Sequence, residues 1–416
     1  MVRHVTLGGD RLGALTTPIQ VFSSFPHVSL KVLSNLASPP PTYFPTPDSP
    51  KSVQALEYDL MAILGTYQKS SWQFDWTNLR NDSVLWHWSL DEETTTAFDA
   101  GPLNRPFATC MVAPKNLLIS FHRRGIGRLD SLGTPLWIYH RLRPHHGFNL
   151  GPNGDVWFPA IQMNASHEAI PRYSNRDGEL HPYVDEWLVQ LDALTGEERA
   201  VFSLTDILAQ NGLAYLIRQS VDTRDPFHLN DIEPVLKDGP FFQSGDLFLS
   251  LRHLSLVLHF RPATGKICRV IRGPFAFQHD VDILSDSTIS LFDNHTTAQA
   301  WPFSQGTSLE SDLLLAQPDS IAPEHIGQKA VSRVLVYNLA QGTFSPLYPD
   351  QFELNDIFTH TEGLSTLLEN GDLFVEEQES GLLWLFNEDS LLLRTYIPSP
   401  LHGYHHIPNW TRVWVP

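Results

Sequence analysis

An all-β chain folded as a six-bladed β-propeller, with an extra irregular N-terminal segment, is the expectation from three observations. Apolar residues recur with period 2 in short runs such as NLLISF (116–121), GDLFLSL (245–251) and GLLWLF (381–386). Gly, Asp and Asn separate the runs, which is the pattern of strands joined by tight turns. Three or four runs group into a unit of about 40–50 residues, and that period belongs to propellers and other repeat folds. Five units follow one another between residues 116 and 398, and strand-like pieces left at the two ends make a sixth.

The elements are read in order as follows. Residues 1–55 are irregular, and the proline-rich stretch SPPPTYFPTPDSP (38–50) predicts an extended surface connector. ALEYDLMAILGTY (55–67) has apolar spacing near 3.6 and predicts one short helix. These residues are assigned to an extension spanning 1–70, and the propeller to 71–416. The first clear unit is 116–139; the second joins 154–163 to 186–204 across a polar insertion; the third is 245–273. The fourth joins 287–295 to 332–349 across a long loop, and the fifth is 370–398. The sixth combines SWQFDW and SVLWHWSL near the start with TRVWVP at the end, so the two ends of the chain close one blade. A large sandwich or two β domains would also use such turns, but the regular recurrence favours the propeller. The two insertions, 164–185 and 296–331, are expected to shape the mouth of the ring.

Composition narrows the functional classes. The 416 residues are 42% hydrophobic and 18% charged, with a formal net charge of −18. The 28 Lys and Arg form no stripe, so nucleic acid is not an expected partner. No run of about 18 apolar residues exists, so no membrane span is expected, and the first residues lack the apolar core of a signal peptide. Cys110 and Cys268 allow one bridge or two buried thiols and cannot make a zinc site alone. Sequons stand at Asn81, Asn164, Asn294 and Asn409.

Candidate chemistry lies at the starts of the runs. PHHGFNLGPNGDVWF carries His145 and His146, HLNDIEPV carries His228, QHDVDIL carries His279, and THTEGLSTLLENGDLF carries His360 and Glu362. Innermost propeller strands surround a channel, so these side chains are expected to converge at one mouth. Arg252 is an odd residue in an apolar strand, and a guanidinium suits an oxyanion. His253 would fall on the opposite strand face by period 2. Each has a bland alternative: a His–Asp pair locking a loop, or an Arg paired with a carboxylate. The Trp residues at 72, 76, 86 and 88 read as packing, and Asp293 and Asn294 as turn residues.

HLNDIEP, GDLFLSLRH, TGK, GP, QHD and LFDN, in this order, resemble the bacterial arylsulfotransferases that do not use the nucleotide sulfate donor. The resemblance runs from about Trp72 to about Ile397 and implies a six-bladed propeller. It implies transfer of a sulfuryl group from an aryl sulfate to a phenol by a ping-pong route through a sulfohistidine. By the resemblance, His279 is the nucleophile, its tautomer fixed by Asp280 or a backbone carbonyl; Arg252 clamps the sulfate. His228 contacts it or protonates the phenolate, and Asn230, on the same strand face, binds substrate by donating to the same anion. His146 matches a further family histidine, but Gly147 stands where the family pattern has an acid, which leaves the choice between His145 and His146 open. Glu362 lines the site, with deprotonation of the acceptor as its candidate role. No cofactor or metal is implied. An exported or periplasmic setting is implied, and a homodimer stays open, since the N-terminal segment could pack on a partner.

Two other readings stand beside this one. Four histidines around a channel could bind a transition metal, although Arg252 is an awkward neighbour for a metal and an expected one for a sulfate. A non-catalytic propeller that binds a ligand or partner is the third reading.

Overall fold

The structure is a computed structural model, and it describes residues 43–45, 52–53, 56–68, 71–100, 104–165, 183–222, 224–296, 331–399 and 403–416. Six antiparallel sheets follow one another around a ring, so the expected six-bladed, all-β propeller is what forms. Blade 2 is Pro106–Ala113, Asn116–Phe121, Ile126–Leu129 and Pro135–Tyr139. Blade 3 sets Arg143–Pro144 and Asn149–Leu150 against Asp155–Ala165, then Tyr183–Asp192 and Glu198–Ser203. Blade 4 is Leu229–Pro234, Leu247–Leu251, Leu256–Arg261 and Lys266–Ile271. Blade 5 is His279–Ile283, Thr288–Asp293, Arg333–Asn338 and Thr343–Leu347. Blade 6 is Leu364–Leu367, Leu373–Glu377, Leu382–Phe386 and Leu391–Pro398, widened by Tyr404–His406, Tyr43–Pro45 and Ser52–Val53.

Blade 1 closes the ring as the two-ended reading expects. Val413–Trp414 pairs with Met61–Gln68, followed by Ser71–Asn78 and Ser83–Leu90. The helix expected over 55–67 is therefore corrected: Met61–Gln68 is a strand held on both sides, and it belongs to blade 1 ahead of residue 71. Gly65 shows why. A Cβ there would stand 2.9 Å from Phe74 Cε1, and its N–H donates to Asn409 Oδ1 at 3.1 Å. Tertiary pairing overrides a weak 3.6-residue spacing that already carries a glycine.

Packing explains the near-continuous apolar runs. Each middle strand is covered on both faces by a neighbouring blade, so both parities are apolar. In Leu247–Leu251, Leu247, Leu249 and Leu251 join the core shared with blade 3, with Trp157 and Leu188. Phe248, between them, joins the core shared with blade 5, with Val281 and Leu291. Helix α1 (Glu92–Ala97), capped by Asp91, follows blade 1, and α2 (Leu204–Gln210), capped by Ser203, follows blade 3. Cys110 is half-buried and Cys268 exposed; both are free thiols, so neither the bridge nor the pair of buried thiols forms. The mouth insertions fall largely on 166–182 and 297–330, outside the described residues. Sequon residues Asn294 and Asn409 are buried and hydrogen-bonded, which removes them as surface acceptors.

Candidate active site

The first strand of each blade starts at the same mouth of the channel. The turns into these strands carry His146, His228, Asp280, Glu362 and Trp410 at positive φ, between 47° and 63°. Left-handed backbone at residues other than glycine costs roughly 1–2 kcal/mol each, and such strain gathers where side chains must be re-aimed. Register shifts between Leu229 and Asp231, and between His279 and Val281, mark bulges at the same turns. The result is a packed group of imidazoles. Ring centroids lie 4.3 Å apart for His145 and His146, 5.0 Å for His146 and His228, and 5.6 Å for His146 and His279. His122, which no sequence motif singled out, joins at 5.1 Å from His145.

His279 is fully buried, and its tautomer follows from its neighbours. Asn294 Nδ2 donates to the carbonyls of Thr359 (2.9 Å) and Glu362 (2.8 Å), so its Oδ1 must face the imidazole. Nδ1–H of His279 donates to that Oδ1 at 2.6 Å. Nε2 therefore carries the lone pair and accepts a long bond, 3.3 Å, from the Glu362 N–H. Burial, and then the charge of Arg252, hold the ring well below the usual histidine pKa, so it is neutral. This corrects two expectations. Asp280 does not orient His279: its carboxylate accepts from Ser365 N–H at 2.7 Å and faces Arg412 at 3.3 Å. Asn294, expected to be a turn residue, is the orienting group.

Arg252 is not inside the strand. It opens a 3-10 turn, Arg252–Leu254, directly after Leu247–Leu251, so the alternation that would send His253 to the far face has already ended. Arg252 Nη1 donates to His253 Nε2 at 2.9 Å and Nη2 to the His360 carbonyl at 3.3 Å. The guanidinium lies 4.9 Å over the Phe277 ring, and its Nε has no partner among the described residues. Burial pulls its pKa down to about 10, against Asp225, Glu362 and Glu379, and it stays cationic. His253 in turn donates from Nδ1 to the Asp225 carbonyl at 2.6 Å, and its ring lies 4.4 Å from His228. His228 Nδ1 meets Asp225 Oδ2 at 2.5 Å, leaving Nε2 to face His146 Nε2 at 3.1 Å.

The remaining candidates support this group. Asn230 does not reach out; Nδ2 donates to the Gln278 carbonyl at 2.8 Å and so braces the residue before His279. Glu362 is paired through both oxygens, 2.9 Å each, with Arg105. That cation, 257 residues away in sequence, removes the repulsion a free carboxylate would exert on an anion. His145 lies with Nδ1 3.4 Å from the buried Glu186. Gly147 leaves room for an indole: a Cβ there would stand 2.8 Å from Trp410 Nε1. Gly147→Asp, which restores the acid of the family pattern, is expected to cost about 1–3 kcal/mol in thermal unfolding through this overpacking. The loss should shrink when Trp410→Ala is added.

Below the mouth the channel turns acidic. Arg412 lies 3.3 Å from Asp280, 3.7 Å from Asp282 and 2.8 Å from Asn149 Oδ1. Burial pushes Asp231 up to about 7 and raises Glu233, Asp280 and Asp282, with Arg412 opposing. A cavity of about 60 Å³, lined by Thr109, Phe148, Asn149, Trp410 and Arg412, separates this cluster from blade 2.

Fold and site together define a β-propeller protein whose mouth holds neutral imidazoles beside a buried guanidinium. Residues 137–397 match the family model described as Arylsulfotransferase (ASST). The chain belongs to the arylsulfotransferase family, which supports an arylsulfotransferase activity in general and small-molecule substrates. No curated protein matches the sequence significantly. Among solved structures, TolB from Acinetobacter baumannii is similar with TM-score 0.47 and 11% identity over 86% of this chain and 67% of that one. A Bacteroides caccae protein of unknown function gives 0.46 and 10% over 82% and 94%, and the Dos1 propeller 0.40 and 10% over 88% and 76%. Among the described residues, no helix is long and apolar enough to cross a membrane.

Proposed function

We propose that the protein is an aryl-sulfate sulfotransferase that works by a ping-pong route through His279. The observation that carries this reading is the fixed tautomer: Asn294 takes the Nδ1–H, and the Nε2 lone pair is left for the sulfur, met by a long contact from the Glu362 N–H. Nε2 attacks the sulfur of the aryl sulfate, the N–S bond forms, and the S–O bond to the ring breaks with its electron pair leaving on the phenolate. The sulfated ring keeps Nδ1–H and is cationic, and the Asn294 carbonyl supports that charge. Arg252 offers donors to the sulfuryl oxygens. His228 Nδ1–H is tied to Asp225, so the proton between the facing Nε2 atoms belongs to His146. That proton can quench the phenolate, and the acceptor phenol returns one when it attacks sulfur and breaks the N–S bond. Asn230, His145 and Glu362 position this set. The propeller, including its blade 1 strand Met61–Gln68, carries the reaction, and the family likeness extends the reading to an exported, periplasmic setting.

The test is phenol release from a chromogenic aryl sulfate, with and without an acceptor phenol. Release should depend on the acceptor, show parallel-line kinetics, and leave one sulfuryl group on the protein when the acceptor is withheld. Because His279 titrates well below its ordinary value, the donor half-reaction should not fall until the pH is below about 6.5. No release across several donors would remove the reading.

A further inference from the structure

Three of the imidazoles face one point. One ring nitrogen each from His145, His146 and His228 lies within 4.8 Å of the other two. The His146 and His228 Nε2 atoms are 3.1 Å apart. A four-coordinate ion with bonds of about 2.0–2.1 Å to nitrogen spaces its ligands about 3.3 Å apart. One pair already has that spacing, and the third nitrogen lies within 4.8 Å of both. The far sides of the rings carry the second observation. His228 Nδ1 is held by Asp225 at 2.5 Å, the arrangement that fixes and strengthens a metal-binding imidazole. Behind His145 stands Glu186, fully buried, 3.4 Å from Nδ1, with neither oxygen hydrogen-bonded among the described residues. Nδ1 of His146 also lacks a partner among them. Burial pushes the Glu186 carboxyl well above its usual range; a divalent cation across the His145 ring favours its ionised form.

We propose that His145, His146 and His228 bind one divalent transition-metal ion of the zinc type, with Asp225 and Glu186 as the carboxylates behind two of the three ligands. Neutral imidazoles select such borderline ions over calcium or magnesium. A second group, Asp225, His228 and His253, meets the same distance criterion, but its nitrogens are spent. His253 Nε2 accepts from Arg252, and its Nδ1–H donates to the Asp225 carbonyl. Arg252 does not forbid the ion, because Asp225, Glu362 and Glu379 offset its charge. The ion takes the lone pair of a neutral ring: the proton between the facing nitrogens moves to the partnerless Nδ1 of His146, and no net proton is released. Ion binding does not depend on the sulfuryl reading; where both hold, an ion held by His145, His146 and His228 would supply positive charge beside the leaving phenolic oxygen.

The test titrates the metal-free full chain with Co²⁺ and Zn²⁺, following cobalt ligand-field bands and calorimetry. One equivalent should bind, at least ~100-fold more weakly in His145→Ala and His228→Ala, and about 10–100-fold more weakly in Asp225→Asn. His122→Ala, outside the triad, should bind as wild type does. Absence of stoichiometric binding by folded wild-type protein, or binding retained in both histidine variants, overturns the site. Aryl sulfate turnover is measured separately. Transfer by a protein that binds no ion leaves the sulfuryl reading and removes the metal; stoichiometric binding without transfer does the reverse.

Discussion

His279→Ala is expected to lower sulfuryl transfer by about 10⁴-fold or more, the scale on which covalent nucleophiles are lost. The protein adduct should vanish with it, since His279 is the mouth imidazole whose Nδ1 is held on a side-chain amide. Asn294→Leu tests the same geometry from behind. Without the Oδ1 acceptor the ring can hold its proton on Nε2, and kcat should fall while the donor KM changes little. The measurements are single-turnover phenol release and intact mass. Transfer in His279→Ala within tenfold of wild type would move the nucleophile elsewhere, with His146 the next residue to test.

Arg412→Met is expected to be the most destabilising single change in the channel. It leaves Asp231, Glu233, Asp280 and Asp282 without the cation that opposes their burial. Breaking a buried ion network in this way costs about 3–5 kcal/mol. The pH dependence fixes the sign. These carboxyls titrate above their ordinary values in the folded chain, so the folded state holds protons that the unfolded state releases. Their contribution to stability is whole below about pH 4 and drains as pH climbs through the folded values, near 7 for Asp231. Removing Arg412 raises those values further. The gap between variant and wild type should therefore be small at acid pH and full near pH 8. Denaturant midpoints at pH 5 and pH 8 check this; an equal loss at both would mean that Arg412 acts through packing alone.

The ring was readable because its physics is local. Strands buried on both faces must be short apolar runs, and a turn must follow each, so LFLSL and LLWLF announce themselves. The strand misread as a helix, Met61–Gln68, takes its identity from Val413–Trp414, more than 300 residues away, and no local pattern reports that pairing; Tyr43–Pro45 and Ser52–Val53, read as irregular chain, are likewise strands only by pairing with blade 6. The site divides in the same way. His145, His146, His228, His279, Arg252 and Glu362 could be named from the repeat and the family motifs, and the fold gathers them. Their partners could not. Asn294 reaches His279 only because two strand ends meet at the mouth, and Arg105 reaches Glu362 across the seam side of the ring. His253 was misplaced because Arg252 leaves the strand one residue before the alternation would have applied. Asp225, three residues before His228, was the one missed partner close enough in sequence to be suspected.

Blade 1 has a mechanical consequence. The ring is joined there by two residue pairs, Val413 with Ala62 and Trp414 with Met61, and Trp410 and Arg412 hang from the same short strand. When this seam breathes, one displacement withdraws the indole from beside Gly147 and the cation from the acidic channel. Loss of activity on warming would then precede loss of the blades, and opening of the seam, read by amide exchange, rather than melting of the sheets, would set the working lifetime of the site.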